Sequence, residues 1–194
     1  MTTTHLGGCR RDGHTFLPDV WDYLIAKYAV RSVVDIGCGY GCSTKYFLDK
    51  GLTVVGVEGF RPALDDNECP RQYLIEHDYT LGPLQVPQVD LAWAAEFVEH
   101  VEARFRDNFL ITFACARYVC LTHAVPGQGG YHHVNEQPTE YWLGELARYG
   151  FEHLPSETAF LRRGGEATPW GRRTLTFLRK RARVSRQRPR IRGR

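Results

Sequence analysis

Residues 33 to 41, Val-Val-Asp-Ile-Gly-Cys-Gly-Tyr-Gly, constrain this chain more than any other stretch. The β-branched run that leads into Asp35 reads as a buried strand. Three glycines then stand at alternate positions, Gly37, Gly39 and Gly41, ahead of a segment from Ser43 to Lys50 that reads as a helix. Glycine at a strand-to-helix turn lets the backbone bend tightly and come close to a ligand. A second β-branched run, Thr53 to Val57, ends in Glu58, 23 residues after Asp35. An acid at that place can accept both hydroxyls of a ribose. Together these read as a βαβ unit that holds an adenosine-bearing ligand.

The glycine spacing separates two ligand classes. Dinucleotide sites favour G-x-G-x-x-G. Here the run is G-x-G-x-G, with Cys42 where the third dinucleotide glycine would stand, so a dehydrogenase is disfavoured. With an acid two residues before the first glycine, the stretch resembles the first motif of the class I S-adenosylmethionine (SAM)-dependent methyltransferases, [D/E]-x-G-x-G-x-G. The resemblance covers roughly residues 30 to 125. Glu58 matches the family's ribose-binding acid. His77-Asp78-Tyr79 matches its adenine-side acid, and Phe60 or Tyr79 is placed to stack on the ring. Val89 to Glu96, with Glu99-His100 just beyond, resembles its fourth-strand segment. The run Pro126 to Asn135, followed by Tyr141-Trp142, also resembles a group of small bacterial and viral proteins predicted to be SAM methyltransferases. The resemblance implies SAM as cofactor and S-adenosylhomocysteine as product. It implies cofactor contacts at Asp35, Gly37, Cys38, Gly39, Gly41, Glu58, Gly59, Asp78 and Glu96. Asp35 would hold the ammonium end of the ligand or orient the loop.

Elsewhere the pattern predicts strands alternating with helices. That means an α/β, doubly wound, mostly parallel Rossmann-like sheet, here seven-stranded with a C-terminal antiparallel hairpin. A helix starts at Pro18, with Val20, Trp21, Leu24, Ile25 and Tyr28 on one face. Gly51 stops the helix after the glycine run. Val98 to Phe109 reads as one helix, 139 to 149 as another, and 152–161 with 172–179 as the two strands of the hairpin.

A chain of 194 residues is expected to be one domain, here 1–178, followed by a flexible basic tail, 179–194. That tail holds nine Arg or Lys and no acid, which leaves 16 basic against 22 acidic residues in the body. Such a block is a solvated appendage or binds polyanions. The six cysteines form no C-x-x-C pair and read as reduced thiols. No signal peptide is visible, and no apolar run approaches the roughly 20 residues of a membrane helix. The expected location is cytoplasmic, with no membrane partner.

Candidates for chemistry follow strands 4 and 5. Methyl transfer from a sulfonium needs a positioned nucleophile and somewhere for its proton to go. Glu96, His132 and His133 are the candidates, with Asn135 in the same glycine-rich loop. Glu99 and His100 read as the start of the next helix. No metal is expected, since no ligand spacing is recognisable. A set of His123, His132, His133 and Glu96 is nonetheless chemically possible. Trp93, Tyr131, Tyr141, Trp142 and Trp170 are aromatics for an acceptor pocket or for the core.

Three functions remain in view: a methyltransferase of small molecules or sugars, at an O or N atom; a methyltransferase of nucleic acid or an RNA end, guided by Arg179 to Arg194; and a non-catalytic interaction protein on the same fold. Glu58→Ala is expected to weaken SAM binding by about 1–3 kcal/mol, the range for hydrogen bonds to a charged group. Equal affinity by calorimetry would refute the ribose assignment.

Overall fold

The computed structural model describes residues 15–164 and 169–182 of the chain. The elements run α1 (Pro18–Tyr28), β1 (Ser32–Ile36), α2 (Cys42–Asp49), β2 (Thr53–Glu58), α3 (Arg61–Asp65), β3 (Leu74–Glu76), β4 (Val89–Ala94), α4 (Arg106–Phe113), β5 (Ala116–Leu121), α5 (Thr139–Arg148), β6 (Phe151–His153), α6 (Pro155–Gly164), α7 (Pro169–Arg173) and β7 (Thr176–Lys180). They build one seven-stranded sheet in the order β3-β2-β1-β4-β5-β7-β6. The first five strands are parallel. β7 runs antiparallel between β5 and β6. This is the doubly wound, mostly parallel α/β sheet that the sequence predicts.

β1 and β4 lie side by side where the strand order reverses. In an open α/β sheet the crevice beyond the carboxyl ends of the strands at that point is where ligands bind. Helices cover both faces, so the central strands are apolar on both sides: Val33, Val34, Leu91 and Ala92 are all fully buried. On one face α1 lays down Val20, Trp21 and Leu24, as its spacing predicts. Trp21 meets Trp93 edge-on at 5.5 Å and Phe47 at 5.2 Å. On the other face Phe109 and Phe113 of α4 pack with Trp142 and Leu146 of α5. Gly51 ends the helix before it in the left-handed conformation, φ 81°, with its N–H on Leu48 O at 2.8 Å.

Three expectations are corrected. The helix predicted over 98–109 is split into a 3-10 turn at Val98–His100, a second at Ala103–Phe105, and α4. The cause is local. The Glu99 carbonyl is taken by the N–H groups of Val134 and Asn135, both at 3.0 Å, and Val101 is extended, so no helix can pass through. The hairpin strands are present but shorter than expected, since residues 155–164 are helical and Arg172 and Arg173 end α7, so that β7 starts only at Thr176. Pro155 suits a first helical turn, Glu157 sits at the positive end and Arg162 and Arg163 at the negative end. Finally, Arg179 and Lys180 belong to β7, with Arg179 held by Glu152 at 2.6 Å, so the body of the protein extends past residue 178. The remainder of the basic tail, from residue 183, lies outside the described residues, as do Cys9 and the Trp170 side chain. Cys38, Cys69, Cys115 and Cys120 are free thiols. No helix among the described residues is long and apolar enough to cross a membrane.

Gly37 turns the chain out of β1 at φ 69°. Its N–H and that of Cys38 bond to Val57 O at 2.9 and 3.1 Å, which ties the turn to β2. A Cβ on Gly37 would lie 2.4 Å from Cδ2 of Phe97. Gly37→Ala is therefore expected to destabilise the fold by about 2–5 kcal/mol. The left-handed backbone accounts for about 1–2 and the overlap with Phe97 for about 1–3. In urea unfolding, a double-mutant cycle with Phe97→Ala should return the overlap part as a coupling energy. Simple additivity would count against a direct clash.

Candidate functional site

Asp35 is buried near the end of β1, and one of its oxygens, Oδ2, accepts two hydroxyls from the first turn of α2: Ser43 Oγ at 2.5 Å and Thr44 Oγ1 at 2.6 Å. Of the two roles the sequence allows it, the bonds it makes serve the second, orienting the loop. Burial pushes its carboxyl up to about 6, while the two hydroxyls pull it down and the Glu58 charge raises it again. Gly41, at φ 84°, turns the chain into α2. A Cβ there would strike Asn67 Oδ1 at 1.9 Å. Asn67 in turn donates from Nδ2 to Gly39 O at 2.8 Å. Glu58 Oε2 accepts the Gly39 N–H at 2.8 Å and Oε1 accepts the Phe60 N–H at 2.7 Å. Both polar groups of the Gly39 backbone are thus held, while its Cβ position opens onto space with no atom within 4 Å.

A cavity of about 440 Å³ lies over this turn. It is lined by Asp35, Gly37, Cys38, Gly39, Glu58 and Gly59, and by Asp78 beyond β3. Asp78 also makes the Asx turn open to it on sequence grounds, Oδ1 accepting the Thr80 N–H at 2.8 Å. The two aromatics differ. Tyr79 is buried and its hydroxyl donates to Thr112 Oγ1 at 3.0 Å, whereas Phe60 is half-buried at the cavity wall. Burial pushes the Cys38 thiol well above its usual range, so its contribution is shape rather than a thiolate. Trp93 and Tyr131 line the cavity, while Trp142 is in the core and Tyr141 packs against that core. Phe97 and Asn67 support the cradle from 60 and 28 residues along the chain from Gly37 and Gly39, and no local signal marks them.

The other wall is built after β4. Glu96 takes a left-handed backbone, φ 48°, with its N–H on Thr122 Oγ1 at 3.0 Å. The 3-10 turn that follows buries Glu99 completely. Glu99 Oε1 accepts the Ala124 N–H at 3.1 Å, and Oε2 has no hydrogen-bond partner; Glu96 Oε1 is likewise buried without one. Side-chain ligand atoms of Glu99, His100 and His133 lie within 4.8 Å of one another. The rings of His100 and His133 meet edge-on at 5.0 Å. Glu96, His100 and His133 all line the cavity. Burial raises both Glu96 and Glu99, and the Glu96 charge raises Glu99 further.

This grouping corrects the candidate set. His133 faces the cavity, but His132 is exposed, at φ 56°, and does not line it. His123 is buried with both ring nitrogens engaged, Nδ1 with Ala124 O at 3.1 Å and Nε2 with Thr139 Oγ1 at 3.0 Å. The possible metal set of His123, His132, His133 and Glu96 is therefore not assembled. Glu99 and His100 take the places of His123 and His132. The signal was present as Glu96-x-x-Glu99-His100, but it is hidden when that stretch is read as a helix start. Two adjacent buried carboxylates cannot both ionise without a counter-charge. A proton shared between Glu96 and Glu99 relieves this, and a divalent cation held together with the two imidazoles would do the same.

Residues 34–112 match the family described as Methyltransferase domain. Among solved structures, the chain is similar to the magnesium protoporphyrin IX methyltransferase of Synechocystis with bound S-adenosylhomocysteine, at 14% identity, TM-score 0.64 and 90% of each chain. It is similar to the methyltransferase domain of bacterial CtHen1, at 16% identity and TM-score 0.61, over 85% of this chain and 97% of that one. A TehB-like SAM-dependent methyltransferase from Corynebacterium glutamicum gives 16%, 0.59, 86% and 89%. At these identities the likeness to the solved structures is one of fold. No curated protein sequence matches the chain.

The raised Asp35 fixes a sign for pH dependence. Between its ordinary 3.8 and about 6, the folded protein keeps a proton that the unfolded chain has lost. Stability contributed by this group therefore falls as pH rises through that window, by about 3 kcal/mol at most, and is flat above it. Urea unfolding between pH 4 and 7 is expected to show this slope in the wild type relative to Asp35→Asn. Parallel curves would place the Asp35 carboxyl at its ordinary value.

Proposed function

We propose that this chain, which carries a class I SAM-dependent methyltransferase domain, transfers the methyl group to a hydroxyl of a small molecule or sugar with the help of a divalent cation. One observation carries the reading: a single cavity joins the glycine turn and Glu58 to a wall of Glu96, His100 and His133, with Glu99 buried beside them. On the first side, backbone N–H groups near the start of α2 suit the carboxylate of the cofactor's amino acid. Glu58 lines the cavity with its oxygens accepting the Gly39 and Phe60 N–H groups, and a carboxylate of this kind also accepts ribose hydroxyls. Asp78 and Phe60 flank the adenine end. SAM supplies an activated methyl group on a sulfonium, so the protein has to orient the acceptor and take its proton.

On the second side, Glu96, Glu99, His100 and His133 would hold the cation. A cation there acts as a Lewis acid toward an acceptor oxygen and makes a hydroxyl easier to deprotonate. Glu96 lines the cavity, and its carboxylate has a second oxygen to receive that proton, whereas His133 has both ring nitrogens committed, to Glu136 and to the cation. A hydroxyl is favoured over an amine because oxygen suits a carboxylate-bound hard cation. Of the basic residues behind the nucleic-acid alternative, Arg179 is paired with Glu152 and Arg162 donates to Leu175 O, while the tail from residue 183 lies outside the described residues.

Methyl-labelled SAM incubated with the full chain and a cell extract tests this. Label is expected in small molecules, lost on treatment with a chelator and restored by Mn²⁺ or Mg²⁺. Glu99→Ala should keep SAM affinity and lose turnover by about 10²-fold or more, the lower end of what proton transfer and cation assistance contribute. Label in a nuclease-sensitive fraction, lost when the chain ends at Ala182, would instead favour nucleic acid. SAM binding with no label in any fraction would favour a non-catalytic role.

A further inference from the structure

The loop from Pro126 to Glu136 contains no regular element, yet its bonds converge on one carboxylate. Glu136 Oε2 accepts the Gly127 N–H at 2.7 Å, and Oε1 accepts the Gly129 N–H at 2.7 Å. Oε1 also lies 3.2 Å from His133 Nδ1. The two side chains are largely shielded, at 12% and 17% exposure. A carboxylate only accepts, so the neutral His133 ring must carry its proton on Nδ1 to make this bond. Nε2 is then left with a lone pair. Gly130 gives the ring room, since a Cβ there would come within 2.5 Å of Nε2.

We propose that Glu136 is a positioning residue: it fixes the tautomer and orientation of His133, so that Nε2 is offered to Glu99 and His100. The inference rests on the cation reading above for its purpose, but its geometry is independent of it. Histidines that bind a metal commonly donate their other N–H to a carboxylate. A bare loop clip is the competing explanation, and the structure separates the two. The loop is also tied down without Glu136, through the Val134 and Asn135 N–H groups on Glu99 O and through Asn135 Nδ2 on Val101 O at 3.0 Å. Loss of the Glu136 carboxylate should therefore release the ring before it releases the loop.

The test uses the full chain as wild type, Glu136→Gln, Glu136→Asp and His133→Ala, with Mn²⁺ alone as the probe. Imidazole ¹⁵N shifts in the metal-free protein report the His133 tautomer. Calorimetry reports Mn²⁺ and SAM affinity separately. The wild type is expected in the Nδ1–H form. Glu136→Gln should lose that form and weaken Mn²⁺ binding by about 10- to 100-fold, the range for removing an outer-shell partner, with SAM affinity unchanged. Glu136→Asp, which keeps the charge, should fall between. The proposal is overturned if wild-type His133 is in the Nε2–H form, a result that needs no variant to fold. It is equally overturned if Glu136→Gln keeps both the Nδ1–H form and the Mn²⁺ affinity. If the wild type binds no Mn²⁺, or His133→Ala binds it as well, the cation reading fails by itself. The tautomer comparison then still decides whether Glu136 orients the ring.

Discussion

The Asp35 carboxylate, buried at the switch point of the sheet, accepts two hydroxyls from the first turn of α2. That contact sets the direction of the helix and, with it, the direction of the turn between. Gly37, Gly39 and Gly41 have to pass over Asp35 in a fixed number of residues, and all three do so with positive φ. Glu58 then closes the turn from the next strand by holding the Gly39 N–H. The backbone that faces the cavity is thus held from below by one acid and from the side by another. The Cβ position of Gly39 opens onto space, with no atom within 4 Å.

The second wall obeys a different logic. It is not one motif but the meeting of two distant loops. Residues 96–100 could have continued as a helix, and the loop at 134–135 prevents this by occupying the Glu99 carbonyl. The same contact brings His133 against His100. A single pair of backbone hydrogen bonds therefore both breaks the helix and assembles the cluster.

This difference explains what could be read from the sequence. The alternation of strands and helices, the glycine turn and the placing of the acids at 35, 58 and 78 beside it were legible because they recur at fixed distances along a βαβ repeat, where local chemistry and global fold agree. Helix ends were legible at Pro18 and Gly51 for the same reason. Phe97 and Asn67 were not, because they reach the glycines from other elements. Glu99 and His100 were misassigned because helix propensity was overridden by a tertiary contact more than 30 residues away. The tail was drawn from residue 179, and Lys180 left out of β7, because Arg179 and Lys180 look like the start of a basic tail. Their role appears only when Arg179 is seen opposite Glu152 across the antiparallel pair. Likewise His132 and His133 are neighbours in sequence, but a left-handed turn at His132 sends only His133 to the cavity.

Glu96 holds the two walls in one account. A left-handed backbone is unfavourable for any residue with a Cβ, by about 1–2 kcal/mol, and glycine would relieve it. The chain nevertheless places a glutamate there, directly after β4, and steadies it with the Thr122 hydroxyl on its N–H. Glu96 also leaves a buried carboxylate oxygen without a partner, beside Glu99 with another. Nothing in the packing of the apolar core requires either arrangement. Strain in the backbone and a carboxyl raised by burial coincide at one residue, which lines the cavity together with the glycine turn and His100 and His133. Backbone strain that the fold does not need is expected where a side chain must be aimed. The turn at Glu96 brings its carboxylate to the cavity that the glycine turn also lines.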